Sequence, residues 1–278
     1  MKIGFIDLYL DEWHANKYPG WLKEQSGGEA VVAYAWAAVE KEGKLSSAAW
    51  CEQFGVELLG SAEEVVEKSD CIMVLAPDDP EVHLQLAEPA LKSGKPVFVD
   101  KTFADTADNA KKMFEIAAAY HTPLYTSSAL RYSEKLQAVL TDDIGSVAGF
   151  GPAVHIKDYM IHMLEPLDVL MGMDVAKVMY TGKGPLSSFT LVYRDGRTAN
   201  LHLSKLLYGY AFKVAHSEKC EALAIDDNFW FGAVEAVLQF FRNGQAPVAA
   251  EDTIAIMTVK DACFRAMETP LEWVKVAQ

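Results

Sequence analysis

At 278 residues and 51% hydrophobic composition, the chain is long enough for one large domain or two ordinary ones with full cores. A net charge of −14 argues against nucleic acid and anionic membranes as partners, because no basic stripe stands ready to neutralise phosphates. Cys51, Cys71, Cys220 and Cys263 lie far apart with no C-x-x-C pair, which argues against a disulfide framework and a structural zinc site. No apolar run is long enough to span a bilayer, and the first residues lack a secretory pattern, so the expected location is the cytoplasm.

The first half alternates between two grammars. Short apolar runs at residues 2–6, 30–37, 71–76, 96–99 and 123–126 read as buried strands. Between them, helical patterns cover 45–54, 62–68, 81–93 and 106–120, and a further helix can begin after Trp13. Ser61 with Glu64 forms a capping box, Asp79 or Pro80 suits a helix start, and Gly94 suits a helix end. Strands and helices in this alternation predict a parallel sheet covered on both faces, with ligands at the carboxyl ends of its strands.

Beyond Ser128 the pattern changes. Helices are expected at 132–140 and 158–171, then strands at 176–181, 187–193, 197–204 and 210–216, with Asp195-Gly196 as a hairpin turn. Two helices close the chain at 229–242 and 251–268. The expectation is therefore α/β overall. It comprises a Rossmann-like parallel sheet over residues 1–127 and an α+β domain over 128–278 with a mostly antiparallel open sheet.

Two segments carry chemistry. In SGKPVFVDKTFADT, residues 93–106, Asp100 and Lys101 emerge at the carboxyl end of a strand, facing the ligand crevice. The Lys101 ammonium can hold a substrate hydroxyl or lend a proton; a solvated lysine at a strand end is the plainer reading. In HIKDYMIHMLEPLDVLMG, residues 155–172, Asp158 and His162 are four apart and share a helical face, with His155 and Glu165 roughly on it. A carboxylate beside an imidazole suits a general base. His155, His162 and Glu165 can equally be read as metal ligands, and a capped helix with one packed histidine is the plainest reading.

Taken together, these segments resemble the Gfo/Idh/MocA family, the glucose–fructose oxidoreductase and inositol dehydrogenase group. DCIMVLAPDDPEVHLQLAEPALKSGKPVFVDKT is similar to the family's stretch from the fourth strand to its E-K-P motif, and KDYMIHMLEPLDVLMG to its D-x-G-x-H-x-x-D segment. LYTSSALRYSEKLQAVLTDDIGSV looks like the crossover segment, and APVAAEDTIAIMTVKDACFRAMETPLEWVKV like the closing helix and strand. The resemblance implies hydride exchange between NAD or NADP and an alcohol carbon of a sugar or polyol. It puts the catalytic lysine on Lys101, the aspartate on Asp158 and the histidine on His162. It implies cofactor contacts at Ala76, Pro77, His83, Asp100 and Lys101, and substrate contacts at Arg131, Tyr159 and Glu165. A homo-oligomer with a small carbohydrate-like substrate is implied as well.

The departures fall on the cofactor. Laid on the family's G-x-G-x-x-G, the glycines become Asp7, Tyr9 and Glu12. Those glycines make the tight turn, admit the pyrophosphate and let helix and strand pack closely. An acid beside a phosphate at 4 Å costs roughly 1 kcal/mol in water and about 4 at an effective dielectric of 20. The second strand, which should end in a ribose-holding acid, ends in Ala35, Trp36 and Ala37, with Glu40 beyond. Trp13 and His14, after the loop, read as packing residues. Three readings stay open: a nicotinamide-dependent oxidoreductase, cofactor-free isomerisation or elimination on a sugar by Lys101, Asp158 and His162 (with or without a metal), and a ligand- or partner-binding homologue without catalysis.

Overall fold

The computed structural model describes residues 1–182 and 184–277. The chain divides into two compact units, Met1–Ser127 with Ala233–Ala250, and Ser128–Gly232 with Glu251–Gln278.

The first unit is built on β1 (Lys2–Asp7), α1 (Trp13–Gln25), β2 (Val31–Ala37), α2 (Ser47–Phe54), β3 (Glu57–Leu58), α3 (Ala62–Lys68), β4 (Cys71–Val74), α4 (His83–Leu91), β5 (Val97–Val99), α5 (Ala107–Ala119) and β6 (Leu124–Tyr125). A 3₁₀ turn at Pro80–Val82 leads into α4. The six strands are parallel in the order β3-β2-β1-β4-β5-β6, with the reversal of strand order between β1 and β4. In such sheets that reversal opens the ligand crevice outside the strand ends. Nearly every residue of β1, β4 and β5 is buried, as expected of strands covered on both faces. Gly4 is where β1 and α3 approach most closely: a Cβ there would lie 2.2 Å from Ser69 Oγ and 2.4 Å from Val65 Cγ1. At α3, Ser61 Oγ accepts from the Glu64 amide at 3.2 Å as the capping box requires, whereas Glu64 reaches back to the Gly60 amide at 2.9 Å instead of that of Ser61.

The second unit contains α6 (Glu134–Gln137), β7 (Ser146–Pro152), α7 (Ile156–Tyr159), α8 (Ile161–Met171), β8 (Val175–Tyr180), β9 (Ser187–Tyr193), β10 (Thr198–Ser204), β11 (Tyr210–Ala215) and β12 (Cys220–Ile225). The helix α9 (Phe229–Asn243) follows, then α10 (Ala250–Glu268) and β13 (Trp273–Lys275). The sheet runs β12-β11-β7-β10-β9-β8-β13, antiparallel except for the β7–β10 pair. The α/β class and the mixed, mostly antiparallel second sheet are as the sequence led us to expect. Gly196, with φ of +94°, makes the turn between β9 and β10.

Three strands escaped the sequence reading. β7 reads SVAGFGP, which looks like loop, yet its two inner glycines are there for packing. A Cβ on Gly149 would lie 2.8 Å from Met163 Cε, and one on Gly151 2.4 Å from Met163 Sδ. β12, CEALAI, is a short run of small and apolar residues of which only Ile225 is buried, and β3 is two residues long. The helix expected at 132–140 shrinks to α6, capped by Ser133 and preceded by a 3₁₀ turn at Ala129–Tyr132. The segment Ala233–Ala250, expected with the second domain, packs in the first unit, where Phe240 meets Tyr125 at 5.3 Å between ring centroids. Among the described residues, no helix is long and apolar enough to cross a membrane.

Candidate active site

In the first unit the loop between β1 and α1 is held by its own carboxylates. Glu12 is the N-cap of α1: its side chain accepts from the His14 amide at 2.6 Å and from the Ala15 amide. This is the usual means of satisfying the first amides of a helix. Asp11 accepts from Asn16 Nδ2 at 2.9 Å and from the Leu45 amide at 3.0 Å. Asp7, at the carboxyl end of β1, is fully buried; its Oδ1 accepts from the Leu8 amide at 2.7 Å, while Oδ2 has no hydrogen-bond partner among the described residues. Tyr9 turns its ring to the Lys41 ammonium, 4.0 Å from the ring centroid.

Burial sets the charge of this cluster. It pushes Asp7 well above the usual carboxylate range, and the neighbouring Glu12 and Asp100 add to that, against the Leu8 amide. Burial likewise pushes Glu12 up to about 7, although His14 and the capped amides oppose it. Burial also works to raise Asp100, but the His14 imidazole and Lys101 outweigh it and hold its carboxyl below the ordinary value. His14 Nδ1 bonds directly to Asp100 Oδ2, and Asp100 Oδ1 accepts from the Lys101 amide at 2.8 Å. His14 is therefore more than a packing residue: it is the buried hydrogen-bonding partner of Asp100, a pairing that nothing in the spacing of residues 14 and 100 announces.

Lys101 follows β5 with its side chain 9% exposed. Its ammonium donates to the Pro77 carbonyl at 2.9 Å and lies 3.4 Å from Asp78 Oδ1. Ala76, just past β4, sits at φ +67°, a left-handed conformation that costs a non-glycine residue about 1–2 kcal/mol. His83 is wholly buried at the start of α4, with Nε2 3.0 Å from the Ala76 carbonyl and Nδ1 3.1 Å from the Phe103 carbonyl. Burial lowers its pKa, while the two carbonyls, which a neutral ring with one N–H cannot both serve, oppose that shift; the imidazole sits between the loops after β4 and β5.

In the second unit, Met160 has helical φ and ψ of −56° and −37°, so α7 runs on into α8 and Asp158 falls one turn before His162. Both are half-buried. His162 Nδ1 lies 2.8 Å from Ser128 Oγ, and the rings of Tyr159 and Tyr210 stand edge-on to the imidazole, each 5.9 Å away. One turn further along α8, Glu165 accepts from Arg131 Nε at 2.6 Å, and Asp168 accepts from Arg131 Nη2. Burial raises both carboxyls, with Arg131 working against it. Glu165 and Arg131 thus hold each other. His155 is exposed as the N-cap of α7. The alternative metal set of His155, His162 and Glu165 does not come together: among the described residues no group of three or more His, Cys, Asp or Glu is arranged to hold a metal ion.

Such a unit, a parallel sheet in the order 3-2-1-4-5-6 with a lysine at the end of the fifth strand, defines a Rossmann-type protein. Residues 16–127 match the model of the Gfo/Idh/MocA group, described as an oxidoreductase family with an NAD-binding Rossmann fold. The family resemblance read from the motifs is borne out. No curated protein matches the chain. Among solved structures, a probable dehydrogenase from Thermotoga maritima is similar with a TM-score of 0.83 at 16% identity, over 99% of both chains. A putative myo-inositol dehydrogenase from Sinorhizobium meliloti has a TM-score of 0.80 at 14% identity, over 100% of both chains. The WlbA dehydrogenase from Bordetella pertussis, in complex with NADH and UDP-GlcNAcA, has a TM-score of 0.77 at 14% identity, over 100% of this chain and 99% of its own. At these identities the likeness shows the fold.

The residues present do not fit a nicotinamide dinucleotide held in the ordinary way. The pyrophosphate of a dinucleotide sits on the first amides of the helix after β1. Here Glu12 already takes the His14 and Ala15 amides, with the buried carboxyl of Asp7 beside it. Glu40, the nearest acid past β2, accepts from the Ser47 amide with both oxygens, at 3.1 and 3.0 Å, and so is spent on the start of α2. The family match itself begins at residue 16, beyond this loop.

Proposed function

We propose that this protein is an enzyme acting on a sugar or polyol by proton transfer, with His162 as the general base. The reaction is proton abstraction beside a carbonyl, leading to isomerisation or to elimination of water. The observation that carries this reading is the bond between Ser128 Oγ and His162 Nδ1. When that nitrogen donates its proton to the serine, Nε2 is the basic nitrogen of the ring. The substrate C–H proton passes to Nε2, and the electron pair moves onto the carbonyl oxygen to give an enediolate. The neighbouring hydroxyl passes its proton to that oxygen, and return of the proton from Nε2 to the former carbonyl carbon completes an isomerisation; expulsion of a β-hydroxide that takes the proton from Nε2 and leaves as water completes an elimination. Asp158, one turn before the base, favours its charged form, and the resemblance assigns Lys101 to steadying charge on oxygen. The family's dehydrogenase character and the sugar or polyol named for similar structures support the substrate class.

A second reading is favoured by the family match over residues 16–127: hydride transfer between NAD or NADP and an alcohol carbon. The occupied amides at α1 oppose it. In either reading the resemblance points to a homo-oligomer, which sedimentation measures directly.

The two readings separate in one experiment. Keto-sugars and polyols are incubated with the protein in D₂O without nucleotide, and deuterium at carbon is followed by NMR. Incorporation that disappears in His162→Ala supports proton transfer. Absence of exchange, together with substrate oxidation only when NAD or NADP is added, supports the second reading instead.

A further inference from the structure

We infer that the Glu12 carboxylate is a built-in substitute for the dinucleotide pyrophosphate, so that the first unit is closed to NAD and NADP by its own chain and is reopened by removing that carboxylate. The inference concerns the first unit alone and does not rest on the proton-transfer reading.

Three observations converge on it. First, the amides that a phosphate would use are engaged: those of His14 and Ala15 both donate to Glu12. A phosphate can bind there only by displacing a charged group that is covalently tethered and thus present at high effective concentration. Second, the turn where a glycine would let a phosphate approach holds Asp7, fully buried, with Oδ2 unpartnered among the described residues. As a carboxylate it repels a phosphate and offers it no donor, and with its proton it still fills the space that a glycine would leave for the phosphate. Third, the remaining loop contacts pull the segment shut. Asp11 joins Asn16 to the Leu45 amide, and Tyr9 lies against Lys41. These anchors tie the loop to α1 and to the segment beyond β2. The cation that could have met a phosphate, Lys41, is on the Tyr9 ring.

The geometry also says which substitution matters. Of the three loop acids, Glu12 is the one whose carboxylate sits on the helix amides, and Asp7 is the one whose Oδ2 has no hydrogen-bond partner among the described residues. Replacing Glu12 by glycine frees the amides, and replacing Asp7 as well removes the buried carboxyl beside them.

The test is calorimetric titration of the full chain with NADH and with NADPH, for the wild type, Glu12→Gly and Asp7→Gly/Glu12→Gly. The expected result is no binding by the wild type at millimolar nucleotide. The variants should gain on the order of tenfold or more in affinity, the double variant most. Micromolar binding by the wild type overturns the inference, and so does equal affinity across the series. If a glycine variant fails to fold by circular dichroism, Glu12→Ala decides, since it removes the carboxylate from the amides without the flexibility of glycine. A gain with alanine supports the closure, and no gain overturns it. Nucleotide-free deuterium exchange, which tests His162, can fail or succeed independently of these affinities.

Discussion

Ser128 Oγ lies 2.8 Å from His162 Nδ1, and the backbone amide of the same serine donates to Glu165. Glu165 is in turn held by Arg131. A buried ion pair one turn along the same face of α8 therefore shares one serine with the imidazole. If His162 is the base, Ser128→Ala lowers turnover less than His162→Ala, for which roughly 10²–10⁴-fold is expected. It also moves the acidic limb of the pH–rate profile, where a general base loses its proton, because the tautomer is no longer enforced. Circular dichroism should be unchanged. A profile that keeps its shape while the rate falls assigns the serine to packing alone.

Arg131→Ala leaves Glu165 and Asp168 buried without their cation. Breaking a buried pair from one side costs about 3–5 kcal/mol. Urea unfolding should show that loss in the second unit. A much smaller effect would mean that water reaches the two carboxylates once the arginine is gone.

Stability should fall as the pH rises through the range where Glu12 titrates. Its folded pKa, pushed up to about 7 by burial, exceeds the ordinary 4.5. Between these values the folded chain holds more protons than the unfolded chain, so the contribution is full below about pH 4.5 and lost by about pH 7, amounting to roughly 3 kcal/mol. Asp7, also raised, has the same sign, while Asp100, which is lowered, loses its contribution only as the pH falls through the acid range. The urea midpoint of the wild type should decline from pH 4.5 to 7.5, and Glu12→Gln should flatten most of that slope.

Gly4→Ala should be destabilising by about 1–3 kcal/mol, the usual cost of overpacking a core. The added methyl would meet Ser69 Oγ at 2.2 Å and Val65 Cγ1 at 2.4 Å. Pairing it with Ser69→Ala and Val65→Ala should recover part of the loss in thermal unfolding, because both colliding groups are then shortened.

Much of this protein was legible in its residues. The all-apolar runs that became β1, β2, β4 and β5 announced a sheet buried on both faces, because a strand with no polar face has nowhere else to go. The place of Lys101 at the end of β5, and of His162 one helical turn after Asp158, followed from periodicity and motif. The loss of the loop glycines was also plain, as composition is local.

Tertiary structure decided what replaced them. That Glu12 turns back onto the amides of α1, that His14 meets Asp100 across 86 residues, and that His83 clasps two loops depend on distances no spacing in the chain encodes. The same holds for β7, whose glycines look like a loop until Met163 and Phe212 are seen to need the space. Local sequence sets which conformations a segment can adopt. Burial decides which charges and which small residues that conformation requires, and burial is a property of the folded chain.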